Sequence, residues 1–436
     1  MKQFRSYKSI DIEDLHEQAE SLSGYEREKA VERLGNIGNI KSISVLLTRI
    51  NDWVPQVRDI AKESLLKLCT HENANSFIHK LPNLFHLQRC SRENHDYLIN
   101  SVIQYLLEPE NKSLIVDNIS NHDRKIARIC LMLSIEHNLE EPEKLIQLSF
   151  EHHDVIVRSN AFELFKPSLQ GISKPLIELA QNDTFMPIRR ETLRMLWETS
   201  KDVEQAKKFL FDRHSSVRTL ANRFLQESKC QQEVESLYID ELSTISSVHK
   251  TRCAIWAIGH LKLTRHKNDV IQHLSSTYSS VRTQALVTLS NLNIDDINKR
   301  LETSLNDASP SVRKQSIKLH KVRDLSYSAD QLIFLQQTAI DKECADSCFL
   351  ISSLSNRWER LIFFLLLLES KHSTKLEDDF IKKQISSWSK DANRVATSPT
   401  PSQIIRLRNL VKENINLFDL DHSLRFLMKA FGVTNI

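Results

Sequence analysis

One short pattern returns along this chain: an aliphatic residue, an arginine, two variable positions and a small residue. It appears as Val57-Arg58…Ala61, Val157-Arg158…Ala161, Ile188-Arg189…Thr192, Val217-Arg218…Ala221, Val281-Arg282…Ala285 and Val312-Arg313…Ser316. A large apolar residue follows seven after the arginine in five of the six: Leu65, Phe165, Leu196, Leu225 and Leu289. Relaxing the leading aliphatic adds Arg27…Ala30…Leu34 and Arg124…Ala127…Leu131. A segment around Thr251 keeps Ala254 and Ile258-Gly259 without the arginine, and a weak one lies near Arg92. The markers then stand at 27, 58, 92, 124, 158, 189, 218, 251, 282 and 313, with steps of 29 to 34 residues. A fixed period of this kind is the signature of a repeat protein.

A unit of about 31 residues has room for two helices and two short turns. Within each marked helix the apolar residues fall at about 0, +3, +4, +7 and +8, one stripe at helical period. The central small residue lets a neighbouring helix approach closely. Asp52, Asp183, Asp212 and Asp307 each stand six residues before a marker arginine. They are placed to accept hydrogen bonds from the first free N–H groups of the marked helix. The arginine one turn later is placed to reach the turn of the preceding unit. One such helix pair cannot bury both faces, so the units must stack into a continuous core. The expectation is an all-α fold of about ten two-helix repeats.

The pattern resembles the HEAT family of α-solenoids over roughly residues 10 to 345. The short unit and the run Arg27-Glu-Lys-Ala30-Val-Glu-Arg-Leu34-Gly35 resemble its bacterial subfamily named after phycobilisome lyases. The resemblance implies a right-handed solenoid whose second helices line a concave face that holds a partner. The sequence departs from the pattern at His152-His153, where Asp is expected, and in the degenerate unit at 72–105. We read residues 1–345 as the solenoid and 346–436 as a helical cap, with a flexible loop over the polar stretch 389–403 (SKDANRVATSPTPSQ).

Composition agrees with an all-α chain. Only 6 of 436 residues are glycine, far below the usual share of about 7 % on which sheets and Gly-rich loops depend. Gly35 and Gly259 read as helix-end caps. No secretory signal pattern opens the sequence, and the longest apolar run, Leu361 to Leu368, is far short of the roughly 20 residues a spanning helix needs. The seven cysteines are scattered, and Cys344 and Cys348 share a helix face without a second ligand pair nearby. A cytoplasmic protein with reduced thiols and no membrane partner follows as the expectation.

No Gly-rich phosphate loop, HExxH or Gly-x-Ser-x-Gly elbow occurs, and the sequence points to no cofactor and no metal. The five tryptophans read as core or core-edge residues. His152-His153-Asp154 is the most suggestive cluster, a solvated turn or else a metal or acid/base site. Charge is distributed unevenly. Residues 10–52 hold five Lys+Arg against nine Asp+Glu, whereas 248–324 hold thirteen against six, with five histidines besides. Outward positions of the marked helices include Lys125, Arg128, Arg190, Arg194, Arg223, Lys314 and Lys318, a candidate basic stripe for a partner. The marker residues Arg58, Arg158, Arg189, Arg218, Arg282 and Arg313, with the four aspartates, read as structural. The functional expectation is a non-enzymatic scaffold with a protein partner and no small-molecule substrate. The alternative is nucleic-acid binding through 248–324, extending to the HEAT-like alkylpurine DNA glycosylases, which need a groove aromatic such as Trp256 and a carboxylate. A bilin lyase activity is suggested by the subfamily name alone.

Overall fold

The computed structural model describes residues 11–165, 173–244, 247–370, 376–391, 397–414 and 421–434. Among the described residues there are 26 α-helices, short 3-10 turns and no strand. The helices come in pairs, first helix then second, and the repeated pattern falls on the second helices. The pairs are α1/α2 (Ile12–Gln18, Gly24–Ile37), α3/α4 (Ile43–Arg49, Pro55–Lys67), α5/α6 (Ala74–His86, Asp96–Leu106) and α7/α8 (Lys112–Asp117, Arg124–Glu136). They continue as α9/α10 (Pro142–Phe150, Val155–Phe165), α11/α12 (Lys174–Asn182, Met186–Ser200), α13/α14 (Val203–Lys208, Ser215–Glu227) and α15/α16 (Gln231–Thr244, Val248–His260). The series runs on through α17/α18 (Lys267–Gln272, Ser279–Leu292), α19/α20 (Ile297–Ser304, Pro310–Val322) and α21/α22 (Ala329–Gln337, Lys342–Ile351). Four further helices complete it: α23 (Arg357–Glu369), α24 (Asp378–Asp391), α25 (Pro401–Glu413) and α26 (His422–Ala430).

The chemistry of the second helices explains where they start and how they stack. Proline opens α4 and α20, where its missing N–H costs nothing. Ser23, Asp123 and Ser247 cap α2, α8 and α16 by accepting a backbone N–H. The small residues Ala30, Ala61, Ala127, Ala161, Ala221, Ala254 and Ala285 are fully buried. Second helices meet directly there, as α2 on α4, α16 on α18 and α18 on α20. Gly35 and Gly259 serve this contact, not the helix ends expected of them. A Cβ on Gly35 would lie 2.5 Å from Ser64 Cβ, and one on Gly259 would lie 3.1 Å from the Thr288 side chain. The helix-ending glycine is Gly38, in the left-handed region at φ 71°.

The chain divides into two compact units between Ala206 and Lys207. Position 345 lies inside α22, whose Cys344, Ala345 and Cys348 are buried in one apolar cluster running from Leu305 to Val433. The C-terminal helices therefore share a core with the last repeats. Trp358 is central to it, against Trp388 at 5.3 Å and Phe431 at 5.0 Å. The supposed loop 389–403 is shorter at both ends. Ser389 still belongs to α24 and donates to Asp421. Thr400 and Gln403 form the reciprocal cap that begins α25. Residues 392–396 of that stretch lie outside the described residues.

The register of the repeat shifts twice. The marker arginine is the fourth residue of α2, α4, α10, α12, α14, α18 and α20. By that measure the third and fourth repeats carry Ile99 and Ala127 at the marker site, and not Arg92 and Arg124. Arg92 precedes α6 and donates to Asn51 O at 2.8 Å. The polar stretch before α6 lengthens the third repeat, and apolar neighbours alone identify its true register. No helix among the described residues is long and apolar enough to cross a membrane. The stacked pairs make each unit an all-α solenoid of HEAT-like repeats.

Candidate functional site: the arginine ladder and the outward face of the second helices

The marker arginines form rungs between successive repeats. Arg27 places Nε and Nη2 on the two carboxylate oxygens of Asp52, at 2.9 and 2.8 Å, and both side chains are buried. Its Nη1 donates to Ser21 O and Leu22 O, the last carbonyls of its own turn. Arg158 repeats this with Asp183 (2.8 and 3.2 Å) and the carbonyls of His152 and His153. Arg282 does so with Asp307 (both 2.7 Å) and Ser276 and Thr277. In all three the aspartate lies 25 residues after the arginine. The pairing thus reaches forward to the next repeat, whereas the sequence suggested a reach back to the preceding one. Each aspartate also accepts an N–H from the residue two further on: Val54, Phe185, His214 for Asp212, and Ser309. These are the residues just before the marked helix, and not its first free N–H groups.

A buried bidentate pair with its remaining donors spent on backbone carbonyls is well satisfied. Burial alone would raise the Asp52 and Asp307 carboxyls, but the arginine and the backbone N–H hold both below their ordinary value. Arg58 and Arg313 make the same reach to Glu93 and Glu343, neither of which the aspartate spacing foretells. Arg58 also donates to Asp52 O, Arg189 to Asp183 O and Arg218 to Asp212 O.

The seventh rung has a different acceptor. The Arg218 guanidinium lies 4.2 Å from the centroid of the Trp256 ring, and its buried Nε has no hydrogen-bond acceptor. His260 stacks on the same indole at 4.7 Å. In the eighth, Thr251 takes the marker place and donates to Ser247 O. At the fifth repeat His152 replaces the aspartate, and the pairing moves: Asp154 takes Arg128 in a bidentate contact at 2.9 and 2.7 Å. The Arg128 guanidinium holds the Asp154 carboxyl far below its usual range. His152 places Nε2 2.9 Å from Asn121 O and accepts the Asp154 N–H on Nδ1, so both ring nitrogens are committed to backbone. Among the described residues no group of three or more His, Cys, Asp and Glu is arranged to hold a metal.

Positions one and five beyond the marker are exposed or half-buried. In the first unit they carry acid in the first two repeats (Glu28, Glu32, Asp59, Glu63) and Arg128 and Met132, then Arg190 and Arg194, in later ones. In the second unit they carry Arg223, Arg252, Trp256, Lys314 and Lys318. Of the expected partner residues, Lys125, Arg190, Arg194, Arg223, Lys314 and Lys318 are exposed, and Arg128 is half-buried on Asp154. Arg194 pairs with Glu191 and Arg223 approaches Glu227 on its own helix, so their charge is partly neutralised. Lys125, Arg190, Lys314 and Lys318 make no ion pair among the described residues. Trp53, read as core or core edge, is two-thirds exposed.

No protein-family model matches the sequence, and no curated protein does. Solved structures similar to it include importin beta in an ammonium sulfate condition: 10 % identity over 97 % of this chain and 74 % of that one, TM-score 0.36. Kap95p, solved bound to RanGDP, aligns at 12 % identity over 96 % of this chain and 66 % of its own, TM-score 0.41. The complex of CpcE and CpcF of phycocyanin lyase from Nostoc aligns at 12 % identity over 89 % and 99 %, TM-score 0.17.

Proposed function

We propose that the chain is a non-enzymatic scaffold that holds a segment of a partner protein against the outward face of its second helices. The observation carrying this reading is a division of labour among the cations. The marker arginines are consumed by carbonyls and carboxylates, while Lys125, Arg190, Lys314 and Lys318 stand exposed on the same helices and make no ion pair among the described residues. Exposed charge on a repeating surface contributes little to stacking and much to partner choice and association rate.

Trp256 speaks against the glycosylase-type alternative. Its ring is already stacked by Arg218 and His260, so it is not free to receive a base. The test is affinity capture from native lysate, with and without nuclease, using wild type and a Lys314→Glu/Lys318→Glu variant. A protein captured by wild type after nuclease treatment, and lost from the variant, supports the scaffold. Capture that disappears with nuclease, together with duplex-DNA affinity falling steeply with salt at a log–log slope of about −0.9 per phosphate contact, would replace it with a nucleic-acid reading.

A further inference from the structure

The stack is irregular at one place in the first unit, and that place is a groove. Ile99 stands 41 residues after Arg58, and the longer third repeat displaces α6. Second helices pack directly on one another as α2 on α4 and α16 on α18, whereas α8 packs across α5, with little contact to α6. Pro82 inside α5 supplies no N–H to the carbonyl of Ile78, loosening the helix where α8 crosses it. Between them lies an open cavity of about 440 Å³. Its floor is apolar: Pro82, Phe85, Ile129 and Met132, the last 40 % exposed. Its rim is cationic, with Arg89 and Lys125 exposed and making no ion pair among the described residues. Arg128 is held in the wall by Asp154. No carboxylate lines it.

We infer that this groove is the docking site for an acidic peptide segment with a bulky apolar anchor. The inference rests on the scaffold reading and names the partner chemistry at one point of it. Apolar floors supply affinity through a few anchors, and a cationic rim selects flanking carboxylates. A methionine in the floor adapts to anchors of different shape. A nucleic-acid backbone fits less well, because the rim offers only two unpaired cations and the floor is mostly aliphatic. The volume is of the order that a short peptide motif fills, within the roughly 300–1,000 Å³ of ligand pockets.

The experiment is fluorescence anisotropy with a labelled peptide in which glutamates flank a Leu-x-x-Phe pair, beside the same peptide with glutamine at each glutamate. The full chain is compared with Arg89→Glu/Lys125→Glu, with Met132→Asp, with Lys314→Glu/Lys318→Glu, and with Lys412→Glu/Lys429→Glu. All substituted side chains are exposed, and thermal melts check that each variant folds. Wild type binds the glutamate peptide; the glutamine peptide, the rim variant and Met132→Asp each weaken binding by roughly tenfold or more; the charge-matched Lys412→Glu/Lys429→Glu control binds like wild type. Binding that survives the rim variant and fails in the Lys314/Lys318 variant overturns the groove while leaving the scaffold reading in place. Failure of wild type to bind the peptide, or displacement of the peptide by duplex DNA at equal charge, overturns the proposed occupant. Partner capture from lysate is unaffected by either result and fails independently.

Discussion

At the residue scale the molecule turns on what each marker arginine touches. Removing Arg158 takes from the buried Asp183 its bidentate guanidinium, and breaking a buried pair from one side costs about 3–5 kcal/mol. Arg218→Ala removes the contact with the face of Trp256 and the hydrogen bond to Asp212 O, and a desolvated cation–π contact is worth about 2 kcal/mol. Denaturant titration is expected to rank Arg158→Ala well below Arg218→Ala, and Arg158→Met/Asp183→Leu above the Arg158 single variant. The Arg218 variant should melt at a lower temperature and keep its partner selectivity. The rung carboxylates also set a pH dependence. Asp52, Asp307 and Glu93 are held below their ordinary values in the fold. Their stabilisation is complete above the unfolded values and is lost as pH falls through the lower folded ones. Melting temperature should therefore fall steeply below about pH 4, and less steeply in Asp52→Asn. Equal slopes would show that the rung carboxylates carry no pH-linked stability. The arginine half of each rung was legible in the sequence, because only arginine recurs at that place. Constant spacing picked out the acceptors at 52, 183 and 307, but as helix-start caps and not as partners of the arginine 25 residues earlier. The acceptor half was hidden at Glu93, Asp154 and Trp256, where an insertion or a register shift changes which side chain arrives.

At the element scale the sequence shows the second helices plainly and misreads what two of the glycines do. A glycine near the end of an apolar stripe looks like a cap, and only the neighbouring helix reveals that Gly35 is there for closeness. Gly35→Ala gains up to about 1 kcal/mol of helix propensity and must push Ser64, and α4 with it, away from α2, which typically costs 1–3 kcal/mol. Thermal melts should show Gly35→Ala destabilised and partly rescued by Ser64→Gly. Gly259→Ala, whose Cβ meets Thr288 at a tolerable 3.1 Å, should be close to neutral. Two indistinguishable alanine variants would contradict this account of the close approach. The irregular third repeat was visible only as a weak marker at Arg92. Its true register follows from Leu98, Ile99, Val102 and Ile103, which repeat the burial pattern without the arginine. The groove depends on which helix α8 packs across, and no periodicity in a single strand of sequence encodes that.

At the scale of the whole molecule, a stack of thin helix pairs stores its stability as local terms plus neighbour interfaces, not as one shared core. The sequence supports that reading through its period. Within the second unit the core continues from Leu305 through α26, so the last repeats and the C-terminal helices share one apolar cluster. Basic and acidic segments were readable as local sums, but their outward placement at positions one and five needed the corrected helix starts. A linear array has a consequence that a single globule lacks: damage to one rung should open its own neighbourhood and spare distant repeats. Native-state hydrogen exchange of Arg158→Ala measures this most directly. The expected result is faster exchange across α10, α11 and α12 with α23 as protected as in wild type. Uniform acceleration through every helix, α23 included, would mean a single cooperative core and would contradict the solenoid account.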